Sequence, residues 1–214
     1  MTLGQKILSF SFFFYLAFAH LVAVISPGPD FFYILRSSFE NGLKNTLISA
    51  VGIGTGVLLQ CIFCLFALTY LYDEIPQIYL LIGTVGAGYL FYIGLVGLRN
   101  NSHESITIKD SINKRLDILK SFFGGLFVNL LNVKAIVFFV SLFGGIINVM
   151  TLSDMVATSL YFFLATALWF IILSISLAYG KKFFISEKFQ KIIKQFSSLS
   201  LMIIGVALGV YVWT

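Results

Sequence analysis

Ser26-Pro27-Gly28-Pro29-Asp30 interrupts an apolar run, residues 7–35, in which Asp30 is the sole formal charge. Two of the chain's three prolines flank a glycine here. Proline lacks a backbone donor and clashes with the preceding turn, so a continuous helix cannot pass through. At membrane depth a broken backbone leaves polar groups unpaired unless protein or a water-filled cavity receives them. Transporters commonly place their sites at broken helices of this kind. The stretch thus predicts a broken first helix and marks a functional locus.

The rest of the chain sets that break in a membrane. Of its 214 residues, 59% are hydrophobic and 11% charged, with a mean hydropathy of +0.98. Soluble domains carry about 25% charged residues. Six runs, 7–35, 45–72, 75–98, 121–147, 155–180 and 195–214, reach the roughly 20 apolar residues a spanning helix needs. The expected fold is an all-α polytopic membrane protein with six transmembrane helices, a single transporter domain over 1–214 with no room for a soluble one. The first run is too long for a secretory h-region and no small-residue cleavage site follows it, so it reads as a retained helix.

A net charge of +5 in a soluble protein would suggest nucleic acid. Here the positions of the charges point to the lipid bilayer as the partner instead. Twelve of the fourteen basic residues fall in the first, third and fifth connections, while the second and fourth carry Asp73, Glu74 and Asp154. The positive-inside rule then makes the odd-numbered loops cytoplasmic and faces both termini outward. Within the fifth connection, Phe189, Ile192, Ile193 and Phe196 alternate with Lys188, Lys191 and Lys194. That pattern predicts a basic amphipathic helix over 181–194, lying on the anionic leaflet.

Six spans divide into half-repeats of about 1–98 and 121–214, joined by the cytoplasmic linker 99–120. Three is an odd number, so two similar halves would insert as an inverted repeat, 3+3, with helices 1 and 4 broken. Ile25-Ser26-Pro27-Gly28-Pro29 precedes Phe31-Phe32-Tyr33, and Leu131-Asn132-Val133-Lys134 precedes Ile136-Val137-Phe138-Phe139. Each is a polar interruption followed by an aromatic half-helix, the paired-break plan of known transporters; chance likeness between two Phe-rich helices is the alternative. Gly52 and Gly56 are four apart in the second span. Close helix packing is the plain reading of that spacing, and lining a substrate path is the sharper one.

Polar side chains inside the spans are the candidate site. Lys134 is the sole charge in the run 121–147, and burying it at a helix centre costs about 2.5–3.5 kcal/mol on insertion scales. It therefore calls for a cavity or an acidic partner, the alternative being a shallow break that leaves Lys134 near the headgroups. Asp30 reads as a helix cap, as a partner of Lys134, or as a group that exchanges a proton. Asn129 and Asn132, three apart near Lys134, can satisfy broken backbone or a polar substrate. Gln60 shares a helix side with Gly52 and Gly56. His20 reads as a packed, hydrogen-bonded residue, with proton carriage as the alternative. Cys61 and Cys64 form a Cys-x-x-Cys that suits apolar packing; a thiol-disulfide electron carrier is the competing function, but it needs an activated thiolate and no charge lies near them in sequence. No metal-ligand cluster, phosphate loop or nucleophile–base pair stands out, and no cofactor is expected. A cation or metal exporter would call for more intramembrane acids than Asp30.

Over essentially its whole length the chain resembles the LysE/RhtB family of bacterial amino-acid efflux proteins. The most specific match is Ile25-Ser26-Pro27-Gly28-Pro29-Asp30-Phe31, continuing through Arg36, Gly42 and the Gly52/Gly56 helix. Gly88-Tyr89-Leu90-Phe91-Tyr92-Ile93-Gly94 and the stretch from Gly125 to Ala135 also resemble it. One departure stands out: Val133 replaces the proline of an Asn-Pro-Lys, so the second break is expected to be a milder kink. The resemblance implies a secondary transporter, not an enzyme. It would export amino acids or close derivatives across the bacterial inner membrane, with the proton gradient as driving force. The expected substrate and ion site comprises Pro27, Gly28, Pro29, Asp30, Gly52, Gly56, Asn129, Asn132 and Lys134. Exposed small-residue faces would allow a homodimer without requiring one.

Overall fold

The computed structural model describes residues 3–75, 78–99 and 118–214. Among them are eight α-helices and no strand: α1 (Leu3–Ile25), α2 (Pro29–Glu40), α3 (Gly42–Glu74), α4 (Ile78–Arg99), α5 (Ile118–Leu130), α6 (Val133–Gly144), α7 (Leu152–Ile185) and α8 (Glu187–Trp213). A 3-10 turn, Ile147–Val149, joins α6 to α7. Most of the expected linker 99–120 lies outside the described residues; Arg99 closes α4, and 118–120 open α5.

Four helices contain a stretch long and apolar enough to cross a membrane alone: Gly42–Glu74, Leu80–Arg99, Leu152–Gly180 and Lys194–Trp213. Two further spans are bent pairs. Phe13–Ile25 meets Pro29–Glu40 at 50°, and Ile118–Leu130 meets Val133–Gly144 at 54°. With each pair counted as one span there are six, in the order bent pair, helix, helix, stated twice. This is a polytopic helical membrane protein.

The milder kink expected at Val133 does not occur, and the reason is local. Val133 is the first residue of α6, where a missing amide is no loss and proline is favoured but not needed. Asn132, in extended conformation, already stops α5 and caps α6 with its own side chain, accepting from the Ala135 amide at 3.4 Å. The separate amphipathic helix expected over 181–194 is also absent. Gly180 departs from helical geometry (φ −129°, ψ 37°), the residues after it finish α7, and Lys188, Lys191 and Lys194 lie in the first turns of α8. No glycine or proline separates them from the apolar run, so the helix continues into the last span.

In the bundle α3 packs against α7 and α4 against α8, while α5 packs on α3 and α6 on α4. Apolar side chains cannot drive this in lipid, so close backbone approach does. A Cβ on Gly52 would collide with the Phe122 carbonyl, and one on Gly125 with the Ser49 carbonyl. The crossing of α3 and α5 is thus glycine-lined on both sides, and Ser49 Oγ donates across it to the Ser121 carbonyl at 3.0 Å. Gly205 meets the Ala87 carbonyl and Phe91 amide in the same way between α8 and α4. Gly42 turns α2 into α3 at a φ of 76°, a conformation that costs glycine little.

Two apolar clusters fill the bundle. One joins α1, α3, α4, α6, α7 and α8 around Phe139, Leu142, Phe143 and Phe162; the other joins α2, α3 and α7 around Ile34, Ile53 and Leu177. Cys61 and Cys64 are free thiols buried in the first. The outer surface is apolar too, with Phe63, Phe66, Leu131 and Leu164 exposed, as a lipid-facing surface requires.

Candidate functional site

The first break begins where the Ser26 amide makes the last bond of α1, to the Val22 carbonyl at 3.1 Å. Gly28 is extended (φ −165°, ψ −171°) and occupies the N-cap position of α2 without a side-chain cap; Pro29 is the first helical residue. Its fixed φ suits that position. The carbonyls of Ser26 and Pro27 are thereby left outside any helix. Lys134 receives them: its Nζ lies 3.5 Å from each carbonyl and donates to Ser26 Oγ at 2.8 Å. The lysine stem passes over Gly28, where a Cβ would stand 3.6 Å from Lys134 Cδ.

The second break is held from the opposite half of the chain. Gln60 on α3 donates from Nε2 to the Asn129 carbonyl at 2.7 Å, and to that of Leu130 at 3.4 Å. The Asn129 carbonyl also accepts from the Asn132 amide at 2.8 Å, so Gln60 adds a second donor there and reaches one of the last carbonyls of α5, which have no partner within the helix.

Between the breaks, Asp30 sits in the first turn of α2. It does not cap its own helix. Its Oδ2 accepts from Asn129 Nδ2 and Asn132 Nδ2, both at 3.0 Å. Asn129 and Asn132 therefore do converge, although one belongs to α5 and the other caps α6. Asn129 is fully buried and Asn132 nearly so. Asp30 and Lys134 do not approach within the 4.0 Å of an ion pair; each is satisfied by neutral groups. Four buried polar atoms at these breaks and beside them lack a partner: Asp30 Oδ1, Asn129 Oδ1, Gln60 Oε1 and His20 Nδ1.

These side chains surround a cavity of about 50 Å³, room for a few waters. Ser26, Gly28, Asp30, Asn129, Asn132 and Lys134 line its polar side. Phe31, Phe138, Phe139, Phe170 and Leu90 line its apolar side, with His20, Tyr89 and Thr166 as the polar groups there. Of the nine residues expected from sequence, five line the cavity. Pro27 and Pro29 shape the break beside it. Gly52 lies in the α3–α5 crossing, and Gly56 backs the Asn129 side chain, where an added Cβ would stand 2.8 Å from Asn129 Cβ.

Sequence reasoning did not place Ser26, Tyr89 or Thr166 in the site, and it set His20 aside. Ser26 stood in the quoted motif, so its signal was present. Thr166 and Tyr89 carried none, because hydroxyls are common in spans. Cys61 and Cys64 sit in apolar surroundings away from the cavity lining. Among the described residues no three His, Cys, Asp or Glu side chains group as metal ligands.

A family model, that of the LysE type translocator, matches residues 21–211, which takes in both breaks and every residue of the cavity except His20. The chain belongs to the LysE-type translocator family. It is thus a member of a transporter family rather than of an enzyme family. Similar proteins include an uncharacterized membrane protein of Haemophilus influenzae, 32% identical over 59% of this chain and 61% of its own length. The threonine efflux protein of Escherichia coli K12 is 31% identical over 61% of this chain and 64% of its own length. The uncharacterized membrane protein YrhP of Bacillus subtilis is 25% identical over 87% of this chain and 92% of its own length. The chain thus matches under two thirds of the length of the first two. No solved structure matches it.

Proposed function

We propose that this LysE-type translocator exports small zwitterionic amino acids or close derivatives by alternating access. The observation that carries the reading is the polar floor of the cavity, where a carboxylate and an ammonium face one space without pairing. Asp30 Oδ1 and Asn129 Oδ1 are both buried without a partner. Two acceptors suit a substrate ammonium, which has three donors to place. Lys134, bound only to neutral oxygens of the first break, can turn to a substrate carboxylate. The N-termini of α2 and α6 add their favourable field to that anion. Both ends of a zwitterion then find a partner with no net charge added to the interior, and an aromatic wall covers the rest. The threonine efflux protein named above supports the amino-acid class.

The two halves would insert as an inverted repeat, with the breaks near the midplane and the termini outside the bacterial inner membrane. The proton gradient would drive export, and the lysines at the start of α8 would reach the headgroups of the cytoplasmic leaflet as the helix enters the membrane.

The test is efflux from cells preloaded with amino acids as dipeptides, at matched membrane expression. Wild type should release a subset of amino acids faster than empty-vector cells, and Asp30→Asn and Lys134→Ala should each abolish that release. Export by Lys134→Ala at the wild-type rate removes the proposed carboxylate site. Wild-type release matching the empty vector across the panel removes the amino-acid assignment.

A further inference from the structure

His20 is a buried imidazole in the cavity wall that the proposed substrate contacts leave unused. It is 1% exposed and stacks on Phe162 with ring centroids 4.0 Å apart. Its Nε2 lies 3.1 Å from Thr166 Oγ1, and its Nδ1 has no partner. A buried polar atom left open beside a cavity calls for an explanation beyond packing.

The geometry points to His20 as the group that carries the coupling proton. This rests on the exporter reading and is an alternative to proton uptake by Asp30 itself. If Asp30 holds the ammonium and Lys134 the carboxylate, both must stay charged while substrate is bound. In an exchange the proton rides while substrate is absent, so a carrier distinct from these two lets Asp30 and Lys134 stay charged through the whole cycle. Of the cavity-lining residues, His20 and Tyr89 are the titratable groups that remain. Histidine is the side chain whose ordinary titration falls in the physiological range, whereas a phenol titrates far above it.

The surroundings of the imidazole suit that role. From α7 it meets the Thr166 hydroxyl, the Phe162 face and, edge-on at 6.3 Å, the Tyr161 ring. From α6 it meets Phe139 at 6.2 Å. The charged groups of the same cavity are Asp30 on α2 and Lys134 on α6, with Tyr89 contributed by α4. In the Nε2–H tautomer, Nε2 donates to Thr166 Oγ1 and the Nδ1 lone pair has no partner. A proton taken from the outward-open cavity adds to Nδ1, and both nitrogens then donate. The proton leaves to cytoplasmic water once the cavity opens inward, so one proton enters for each substrate exported.

The test uses purified full-length protein in proteoliposomes with the membrane potential clamped at zero. The probe is an equimolar mixture of labelled proteinogenic amino acids. Counterflow, the exchange of labelled for unlabelled substrate, needs binding and alternation but no proton. Accumulation in a lumen about one pH unit more acid than the bath needs coupling, and one-to-one exchange yields ~10-fold concentration there. Wild type should show both. H20Q should keep counterflow while its accumulation ratio falls to one. T166V keeps the imidazole and removes its hydroxyl partner, so it should keep counterflow and move the pH at which accumulation is half-maximal.

H20Q with the wild-type accumulation ratio overturns the inference. So does loss of counterflow in H20Q with an unmoved pH midpoint in T166V, which makes His20 a packing residue. A wild type without counterflow of any amino acid removes the exporter reading and this inference with it. Counterflow in wild type with unchanged coupling in H20Q removes this inference alone.

Discussion

A single methyl group at Gly56 separates the positioning of Asn129 from the folding of the bundle. In Gly56→Ala the new Cβ would lie 2.7 Å from Asn129 Oδ1 and 2.8 Å from Asn129 Cβ. Ordinary carbon contacts need about 3.5 Å or more, so the whole asparagine side chain must turn, not just its tip. Its Nδ2 then leaves Asp30 Oδ2, a bond of 3.0 Å. A hydrogen bond to a charged group contributes about 1.5–3 kcal/mol, which corresponds to roughly 10–150-fold in apparent substrate affinity.

Two other glycines serve as controls. Gly88 on α4 has nothing within 4 Å of an added Cβ, so Gly88→Ala should leave transport unchanged and gain about 0.5–1 kcal/mol of helix stability. Gly52 would strike the Phe122 backbone, so Gly52→Ala should unfold or fail to accumulate. The assay is the concentration dependence of counterflow in proteoliposomes, with thermal unfolding in detergent alongside. Expected for Gly56→Ala is a KM raised by at least ~10-fold, at a stability within about 1–2 kcal/mol of wild type. A wild-type KM in Gly56→Ala refutes the argument that Asn129 must stay on Asp30.

Three further outcomes follow from the same geometry. Gln60→Leu removes the donor from the Asn129 and Leu130 carbonyls, and should cost about 1–3 kcal/mol of stability; an unchanged unfolding midpoint would show that the second break needs no support from α3. Cys61→Ala with Cys64→Ala deletes two sulfurs from an apolar cluster; transport should persist with about 1 kcal/mol lost per site, and abolished transport would restore the thiol-relay reading. Alkaline phosphatase fused after Thr151, in the acidic connection, should be active, and fused after Ser186 inactive; the reverse pattern inverts the orientation.

Much of this architecture was legible because lipid imposes it. The apolar runs gave six spans, and the paired interruptions located the two bends. Boundaries shifted where punctuation was missing: nothing between Glu187 and Trp213 stops a helix, so α8 begins earlier than its apolar run. Val133 misled because a proline was credited with breaking the helix, while Asn132 breaks and caps it. Within the site, Asp30, Asn129, Asn132 and Lys134 were visible as polar groups in apolar surroundings. Their pairing was not, since it joins residues about a hundred positions apart. Asp30 and Lys134 suggested an ion pair by charge alone; the structure separates them, Lys134 filling the unpaired carbonyls of one break and the asparagines holding Asp30. Gln60 shows the same limit, because its partner is a backbone carbonyl, which no residue type announces.

Each break is satisfied by side chains from the other half of the protein, and this bears on biogenesis. Asp30 waits for Asn129 and Asn132, 99 and 102 positions later; the Ser26 and Pro27 carbonyls wait for Lys134, 108 and 107 positions on. At a synthesis rate of about 5–20 residues per second, the first span waits roughly 5–20 s with an acid and two carbonyls unmatched. Gln60 waits less long for its own acceptors, 69 and 70 positions on. The nascent chain thus carries a polar wound through the translocon that only its second half closes, and a ribosome stalled in the linker would leave a fragment marked for membrane quality control.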